Sequence, residues 1–528
     1  MEGPERVAGL GRRAVLPAVA LGAFAPRALH AQPVAVTNSP RNVDDLVPAI
    51  DGIARDAMQR SGVPGMAIAV VHQDRAIFLR GFGVRQAGMP EPVDADTVFP
   101  LASLSKPIAC TVVAALVGDG VVAWDDPIIR HMPEFEMYDP WVTREVTLRD
   151  MFTHRSGLPD HAGDLLEDMG YGRDAVLFRL RYQRPASSFR SHYAYTNFGF
   201  TAAAVAAARS TGTDWDEISA GRLYQRLGMQ RTSSRFADFA REANRVRSHV
   251  RSGNNWVARY TREPDAQSPA GGVTSSVRDL ANWMRLQLSR GKLDGEQIVA
   301  MDAIDETHRP QILRSPPQNP ALDRAGFYGL GWNIDYTDQG GVAWGHSGAF
   351  GFGAATCVSL LPGAELGIVV LTNAQPIGVP EAICRSFLDL VLTGKVEKDW
   401  VTLYGQLFTT AMTPNYGTSI DYEVPPEPLL PALPAAAYVG IYDNELYGPI
   451  EIAGSEGNLL MAQGPGPNRF RLRHFDRDVF TYQPIGENAE GASAVSFAVG
   501  ADRKAVSVTV ENLDVEHQGS FVRRKGTP

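Results

Sequence analysis

The chain begins with segments whose apolar residues recur at regular spacings. From Asn42 to Arg60 the spacing is helical. Two short apolar runs follow, Met66–Val71 and Ala76–Leu79, and the polar Gln73-Asp74-Arg75 between them is typical of a β-hairpin. An apolar run from Ile108 to Val117 then predicts a buried helix.

Over about residues 110 to 392 the spacing of the apolar residues changes from a helical to a strand-like period. Helical patterns and loops dominate from Cys110 to about Val277, and Val277–Leu288 predicts a further helix. Beyond Gly329 four strand-like segments follow, bounded by glycine, proline and polar turns: Leu330–Ile334, Val342–His346, Ala354–Leu360 and Leu366–Thr372. Ala382–Leu392 reads as a closing helix. We therefore predict an α+β domain over residues 42–394, with one antiparallel sheet built from both ends, flanking helices and an inserted helical lobe.

A proline-rich stretch, residues 424–434, separates this domain from the tail, and we take residues 395–434 as a linker. Short alternating runs recur beyond it, and their spacing predicts a small antiparallel β-barrel over residues 435–524. The runs are Tyr438–Tyr442, Pro449–Ile452, Leu459–Met461, Phe470–Leu472, Val479–Phe480, Ala494–Phe497, Ala505–Val510 and Ser520–Val522.

The N-terminus predicts a signal peptide over residues 1–31. Arg12-Arg13 precede the apolar stretch Ala14–Ala25, and Leu29-His30-Ala31 supplies a small-residue cleavage site. The segment Gln32–Pro40 is polar and predicted to be disordered. No stretch is long and apolar enough for a permanent membrane anchor, so we expect an exported protein, periplasmic or secreted.

Charge and metal-binding residue types limit the possible partners. A net charge of −9 without a basic cluster argues against a nucleic-acid partner. His154, Asp160 and His161 lie close together but lack a metal-ligand spacing, so neither a metal nor another cofactor is predicted. The chain has three cysteines, Cys110, Cys357 and Cys384. They form no disulfide framework, although a bridge between the last two stays open.

Candidate chemistry begins at the buried helix. Ser103 and Lys106 are three residues apart at its start, so their side chains share one helix face. A serine beside an amine that burial can neutralise can act as an activated nucleophile, provided the pKa of the lysine falls from ~10.4 by roughly 3 units. The spacing recurs at Ser289 and Lys292, where Gly291 predicts a helix end that would separate the pair.

Two later motifs could complete a site. Tyr195-Thr196-Asn197 offers a phenol for proton transfer and a carboxamide for orientation. His346-Ser347-Gly348-Ala349 ends a predicted strand, whose edge can bring the Ala349 amide beside that of Ser103 as a pair of oxyanion donors. Each motif is weak alone, because similar patterns occur elsewhere: Tyr442–Asn444, His161–Gly163 and His517–Gly519.

In this order the three motifs resemble the serine β-lactamase and penicillin-binding protein superfamily. The resemblance is closest to its class C β-lactamase-like branch, which includes esterases and D-amino-acid-specific peptidases of the peptidase S12 type. It covers about residues 42–394, and further stretches match that branch: Thr153–Pro159, Pro269–Val273 and Leu366–Asn373. The tail is similar to the lipocalin-like barrel appended to some members.

The resemblance implies a role for each residue. Ser103 would be the acylated nucleophile, Lys106 the base or the partner that keeps the base ionised, and Tyr195 the acid–base group serving the leaving group. Asn197 would position these groups, and the amides of Ser103 and Ala349 would form the oxyanion hole. His346, Ser347 and Gly348 would line the substrate. Whether Lys106 or Tyr195 takes the first proton stays open.

The third motif departs from the family pattern. Lys-Thr-Gly is usual where this chain has His346-Ser347-Gly348, and histidine is mostly neutral above a pKa of ~6.5. We therefore expect hydrolysis of an ester or a small amide or peptide bond through an acyl-Ser103 intermediate. The alternatives are a class C-like β-lactamase or D,D-peptidase, and a slowly acylating penicillin-binding sensor. A homo-oligomer formed through the barrel is a further open expectation.

Overall fold

The computed structural model describes residues 43–489 and 491–526, so the predicted signal peptide and the polar segment after it lie outside the described residues. The helices are, in chain order, α1 (Val43–Ser61), α2 (Ser105–Gly118), α3 (Ile128–His131), α4 (Pro140–Glu145), α5 (Leu148–Phe152), α6 (Asp164–Asp168), α7 (Arg173–Arg179), α8 (Asn197–Arg209), α9 (Trp215–Ser219), α10 (Phe236–Arg241), α11 (Ser268–Gly271), α12 (Val277–Leu288), α13 (Met301–Thr307), α14 (Val379–Thr393) and α15 (Trp400–Ala411).

The strands are β1 (Gly65–His72), β2 (Arg75–Gly83), β3 (Phe99–Pro100), β4 (Val250–Ser252), β5 (Asn255–Val257), β6 (Thr274–Ser275), β7 (Lys292–Leu293), β8 (Glu296–Gln297), β9 (Ile312–Ser315), β10 (Gly326–Tyr328), β11 (Asn333–Tyr336), β12 (Val342–Phe350), β13 (Ala354–Leu361), β14 (Leu366–Thr372), β15 (Gly440–Asp443), β16 (Ile450–Ser455), β17 (Asn458–Gln463), β18 (Arg469–Arg471), β19 (Arg473–Asp476), β20 (Val479–Tyr482), β21 (Ser493–Val499), β22 (Ala505–Val510) and β23 (Ser520–Arg523).

An eight-stranded sheet joins the start of the first domain to its end. Its order is β2-β1-β14-β13-β12-β11-β10-β9, and neighbouring strands run antiparallel. The hairpin β1–β2 turns at Gln73 and Asp74, which both have positive φ (47° and 58°), as a tight two-residue turn requires. The predicted α+β fold with a sheet built from both ends is confirmed.

Alternate residues of β1 belong to two different hydrophobic cores. Met66, Ile68 and Val70 pack in the core that contains α1 and α14. Ala67, Ala69 and Val71 face the opposite core, which contains α2 and α12. Because successive side chains of a strand point to opposite faces, a strand covered on both sides reads as one continuous apolar run. The sheet is therefore the middle of three layers, with the inserted helical lobe, α3 to α10, beyond α2.

The C-terminal strands form one antiparallel sheet that almost closes on itself. Its order is β18-β17-β16-β15-β23-β22-β21-β20-β19, so its edge strands are β18 and β19. Only Leu472 separates these two strands in the chain, which brings the two edges of the sheet together. The predicted barrel is confirmed, and its likeness to lipocalins stays a prediction. The proposed linker, residues 395–434, contains helix α15, which lies ahead of the proline-rich stretch at residues 424–434.

The barrel packs on the helical lobe. Arg179 of α7 donates to the backbone carbonyls of Glu445 and Leu446, and the Tyr171 hydroxyl donates to the Tyr447 carbonyl (2.9 Å). All three cysteines are free thiols, so the open Cys357–Cys384 bridge is not formed. Among the described residues, no helix combines the length and the apolar character needed to span a bilayer.

Candidate active site

Ser103 lies in a tight turn immediately before α2. The Leu101 amide donates to the Val273 carbonyl (2.9 Å), which fixes the entry to the turn. Ala102 has a φ of 48°, a left-handed conformation that costs a non-glycine residue free energy and is common at functional sites. Ser103 is partly exposed, whereas α2 is buried from Ser105 to Leu116. The serine hydroxyl is thus open to a substrate.

The amine of Lys106 is fully buried and lies close to three oxygen atoms. Nζ is 3.1 Å from Ser103 Oγ, 2.7 Å from Asn197 Oδ1 and 2.9 Å from the Ala270 carbonyl oxygen. Burial lowers the pKa of Lys106 to about 7, although the Asp164 carboxylate acts in the opposite direction. A large share of the amine is therefore neutral near neutral pH, as a general base must be.

The segment that follows α5 places Tyr195 and Asn197. Asp160 Oδ1 accepts a hydrogen bond from the Tyr195 amide (2.5 Å), and His154 Nδ1 accepts one from the Thr196 amide (3.1 Å). Asn197 then begins α8, with the Thr196 side chain as the N-terminal cap. His154 and Asp160, which the sequence offers as weak metal-ligand candidates, hold the backbone of the Tyr-Thr-Asn motif instead.

Tyr195 lies beside both Ser103 and Lys106. Its ring centroid is 4.5 Å from Lys106 Nζ. Burial raises the pKa of Tyr195 above the ordinary value, and its hydrogen bond with the Ser103 hydroxyl only partly offsets this. The side chain therefore stays a phenol near neutral pH and can donate a proton.

Asp164 holds Asn197 in place, and the sequence motifs do not include it. Its Oδ2 accepts hydrogen bonds from Asn197 Nδ2 and His161 Nδ1, both at 2.8 Å. Since Asn197 Nδ2 is committed to Asp164, the carboxamide must turn Oδ1 toward Lys106. The pattern Asp160-His161-Ala162-Gly163-Asp164 carries no catalytic signature, so only the fold connects Asp164 with the lysine.

His346 closes the far side of the group as a neutral imidazole. Its Nδ1 lies 2.6 Å from the Ser347 carbonyl oxygen and must donate to it, so Nε2 accepts from the Tyr328 hydroxyl at 3.0 Å. Burial, together with the nearby Lys106, lowers the pKa of His346 to about 3. The position that usually holds a lysine cation in the resembling families therefore carries no charge.

The end of β12 packs directly on the nucleophile turn. A Cβ at Gly348 would collide with the Leu101 carbonyl oxygen and lie 2.9 Å from the Leu104 nitrogen, so only glycine permits this approach. β11 pairs with β12 only from Val342 to Gly345. The Gly348-Ala349 backbone thus lies beyond the last pair on that side and next to the turn that carries Ser103.

Ser347 is a predicted site residue whose side chain the structure directs away from Ser103. It pairs across the sheet with Cys357, which belongs to the core on the α14 side, whereas His346 pairs with Val358 on the Ser103 side. Its hydroxyl lies beside the buried carboxyl of Glu381 on α14, whose pKa burial raises to about 7. Only the backbone of Ser347 can therefore reach a substrate at Ser103.

Of the alternative copies of the motifs, Tyr442–Asn444 lies apart from this site, whereas His161 of the His161–Gly163 copy lies beside it, with Nδ1 2.8 Å from Asp164 Oδ2. Tyr442 and Asp443 belong to β15 of the barrel, and Asn444 Nδ2 donates to the Gln518 carbonyl there. Within residues 43–489 and 491–526, no three potential metal ligands from His, Cys, Asp or Glu form a cluster. The structure thus brings together Ser103, Lys106, Tyr195, Asn197 and the end of β12.

A nucleophile turn packed on the end of β12, a buried lysine and a phenol are groups suited to acyl transfer. A family profile described as Beta-lactamase matches residues 50–392. The chain belongs to this family. Members of this family are hydrolases with the beta-lactamase fold. A second profile, described as a domain of unknown function (DUF3471), matches residues 424–523, which span the barrel.

Relatives of this Beta-lactamase family member include several hydrolases. The unguisins hydrolase ungD of Aspergillus violaceofuscus is 25% identical over 84% of this chain and 84% of its own length. The D-alanyl-D-alanine-carboxypeptidase/endopeptidase AmpH of Escherichia coli K12 is 24% identical over 69% of this chain and 92% of its own. The octameric penicillin-binding protein homologue from Pyrococcus abyssi shares the fold, with a TM-score of 0.58 at 18% identity, covering 90% of this chain and 100% of the other.

Proposed function

We propose that this protein hydrolyses an ester or a small amide or peptide bond through an acyl-Ser103 intermediate. The observation that carries the proposal is the buried Lys106 amine, 3.1 Å from Ser103 Oγ and with a pKa lowered to about 7. An amine that is largely neutral at this distance can accept the serine proton during attack. The hydrolase names among the relatives support hydrolysis as the net reaction.

The proposed reaction has two halves. Ser103 Oγ attacks the substrate carbonyl while Lys106 accepts its proton, and the amides of Ser103 and Ala349 stabilise the oxyanion. Tyr195 then donates its phenolic proton to the leaving group and regains one from the Lys106 ammonium. In the second half a water molecule attacks the acyl-serine. Tyr195 takes a proton from this water as it passes its own proton to Lys106, and the Lys106 ammonium then protonates Ser103 Oγ, which leaves as a hydroxyl.

The order of proton transfer follows from the two pKa shifts. Burial raises the pKa of Tyr195 above its ordinary value, so a phenolate is a poor resting state. Burial lowers the pKa of Lys106 to about 7, so the neutral amine is accessible. This difference favours Lys106 over Tyr195 as the first base.

The neutral His346 favours substrates that carry no carboxylate next to the scissile bond. A carboxylate bound there would meet an imidazole whose Nδ1–H already donates to the Ser347 carbonyl and whose Nε2 accepts from Tyr328. Efficient β-lactam or D,D-peptide turnover would need a cation at this position. We therefore place esterase or D-amino-acid-type peptidase activity ahead of the β-lactamase, D,D-peptidase and sensor alternatives.

A labelling experiment combined with three substrates tests the proposal. A fluorophosphonate should add once per chain, and peptide mass spectrometry should locate the adduct at Ser103. Turnover of a p-nitrophenyl ester and a D-alanyl p-nitroanilide should exceed that of a chromogenic cephalosporin. Fast cephalosporin turnover would instead identify a β-lactamase, and labelling without turnover of any substrate would identify a sensor.

A further inference from the structure

A loop of the C-terminal barrel reaches the catalytic domain at α6. The loop lies between β20 and β21, and its Glu487 and Asn488 amides donate to the Asp168 carboxylate at 2.9 and 3.1 Å. The Asn488 side chain adds a third hydrogen bond to Asp168 (2.9 Å). Gly486 has a φ of 122°, and a Cβ there would collide with the Asp168 carboxyl. The loop is therefore seated closely on α6.

The Glu487 side chain continues from this loop to the strand of the active site. Its Oε1 accepts a hydrogen bond from the Gly351 amide, and Gly351 directly follows β12, two residues after Ala349. Its Oε2 lies 3.8 Å from Arg262 Nε, and Arg262 also binds Glu167 at 2.6 Å. Oε1 is thus engaged by backbone, whereas the buried Oε2 makes no hydrogen bond and has only the Arg262 guanidinium nearby, so the contact that defines the role of Glu487 is the one to the Gly351 amide.

Phe350 connects this contact to the nucleophile. The ring of Phe350 forms a small buried cluster with Ala102 and Ala354, and Ala102 immediately precedes Ser103. The Arg262 guanidinium lies over the same ring, 5.3 Å from its centroid. A shift of Gly351 would therefore move Phe350, and with it the packing under the Ser103 turn and the position of the Ala349 amide.

We propose that Glu487, contributed by the barrel, is a positioning residue that holds the end of β12 against the nucleophile turn and so keeps the Ala349 amide aligned for the oxyanion. This inference rests on the proposed acyl-transfer function. It assigns the barrel a direct part in the site, because a single side chain of the barrel fixes the backbone two residues from the oxyanion donor. Misalignment by a fraction of an ångström is enough to lower the rate of an acyl transfer.

Two conservative variants of Glu487 separate the effect of side-chain length from the effect of charge. Glu487→Gln keeps an oxygen at the same distance from the Gly351 amide but can never ionise, whereas Glu487 itself is partly charged near neutral pH because burial raises its pKa to about 7. Glu487→Asp keeps the charge but is one methylene shorter and cannot reach Gly351. Gln518→Ala is the matched control, because Gln518 bonds the Tyr182 carbonyl and the Arg184 amide (both 2.9 Å) at another point of the same barrel–lobe interface.

We expect Glu487→Asp to lower kcat for a p-nitrophenyl ester about tenfold with KM changed less than about twofold, because the oxyanion interaction acts in the transition state. The rate of fluorophosphonate labelling should fall to a similar extent. Glu487→Gln and Gln518→Ala should stay within about twofold of the wild type. Amide hydrogen exchange at Gly351 should accelerate in Glu487→Asp alone.

Three results would overturn the inference: an unchanged kcat in both Glu487→Asp and Glu487→Gln, an equal loss in Gln518→Ala, or a loss in Glu487→Gln with none in Glu487→Asp. The last would mean that charge matters rather than reach. A wild-type protein that neither labels nor turns over would refute the proposed function instead. The exchange rate at Gly351 would then still decide whether Glu487 holds the strand.

Discussion

The chain contains the Ser-x-x-Lys spacing twice, and the two copies differ in their surroundings. Ser103 and Lys106 share one helical face, and the lysine is fully buried with its amine beside the serine. Ser289 directly follows α12, and its hydroxyl lies within hydrogen-bond distance of two backbone carbonyls, those of Arg285 (2.6 Å) and Lys292 (2.5 Å). Lys292 itself is exposed. The same spacing thus yields an activated pair in one place and a helix C-terminus in the other.

The two copies differ in the exposure of their lysines to solvent. Water stabilises an ammonium ion strongly, so an exposed lysine gains nothing by losing its proton. Lys106 instead meets a carbonyl, a carboxamide and a hydroxyl inside the protein, and burial lowers its pKa to about 7. The catalytic potential of the motif therefore comes from its burial, and the spacing only makes the contact geometrically possible.

The largest difference between the copies should appear on removal of the serine. Ser103→Ala should abolish both fluorophosphonate labelling and ester hydrolysis, because no other nucleophile lies beside Lys106 among the contacts of its amine. Ser289→Ala should leave both measurements unchanged. Labelling that survives in Ser103→Ala would show that the nucleophile is elsewhere.

Replacing the lysines should give the next largest difference. Lys106→Met removes the base while filling a similar volume, and we expect kcat/KM to fall by about three orders of magnitude, within the range known for general bases. Lys292→Met should act as wild type. If kcat/KM falls by less than about tenfold in Lys106→Met, Tyr195 and not Lys106 would be the base.

The wild-type pH profile checks the same base without a substitution. With a pKa of about 7, the neutral fraction of Lys106 falls on acidification, so kcat/KM should rise about tenfold from pH 6 to pH 8 and then level off. A profile that rises only above pH 9 would mean that the amine keeps its ordinary pKa. The same profile in Lys292→Met provides the control.

Sequence patterns predicted the parts of this molecule that local physics determines. The continuous apolar run of β1 and the buried α2 follow from the two cores that cover them. The short strands β9 and β10 escaped prediction, because Arg314 interrupts the apolar pattern of β9 and β10 has only three residues, too few to show a period. Helix α15 was hidden in the presumed linker.

Within the site, some features follow from the period of a strand, and others follow only from the folded structure. Because successive side chains of a strand point to opposite faces, the side chains of His346 and Ser347 cannot both face the substrate. The two-residue period of a strand is enough to predict this. By contrast, Asp164 and Glu487 carry no motif and lie far along the chain from the groups they contact. Only the folded structure brings these carboxylates to Asn197 and Gly351.

The smallest expected effect concerns Asp164, which distinguishes the buried lysine from the exposed one in a second way. Asp164 orients Asn197 and, as a carboxylate near Lys106, raises the pKa of the amine against the effect of burial. Asp164→Asn removes that attraction, so the ammonium is less stable and the pKa of Lys106 should fall below about 7. The midpoint of the pH profile should move to lower pH, and the plateau of kcat should drop about fivefold because a neutral amide holds the Asn197 carboxamide less firmly than a carboxylate does. Asp125→Asn, an exposed acid paired with Arg149, is the matched control and should leave the midpoint unchanged. A midpoint that stays fixed or moves to higher pH in Asp164→Asn would mean that this carboxylate does not act on the lysine, and that burial alone sets its pKa.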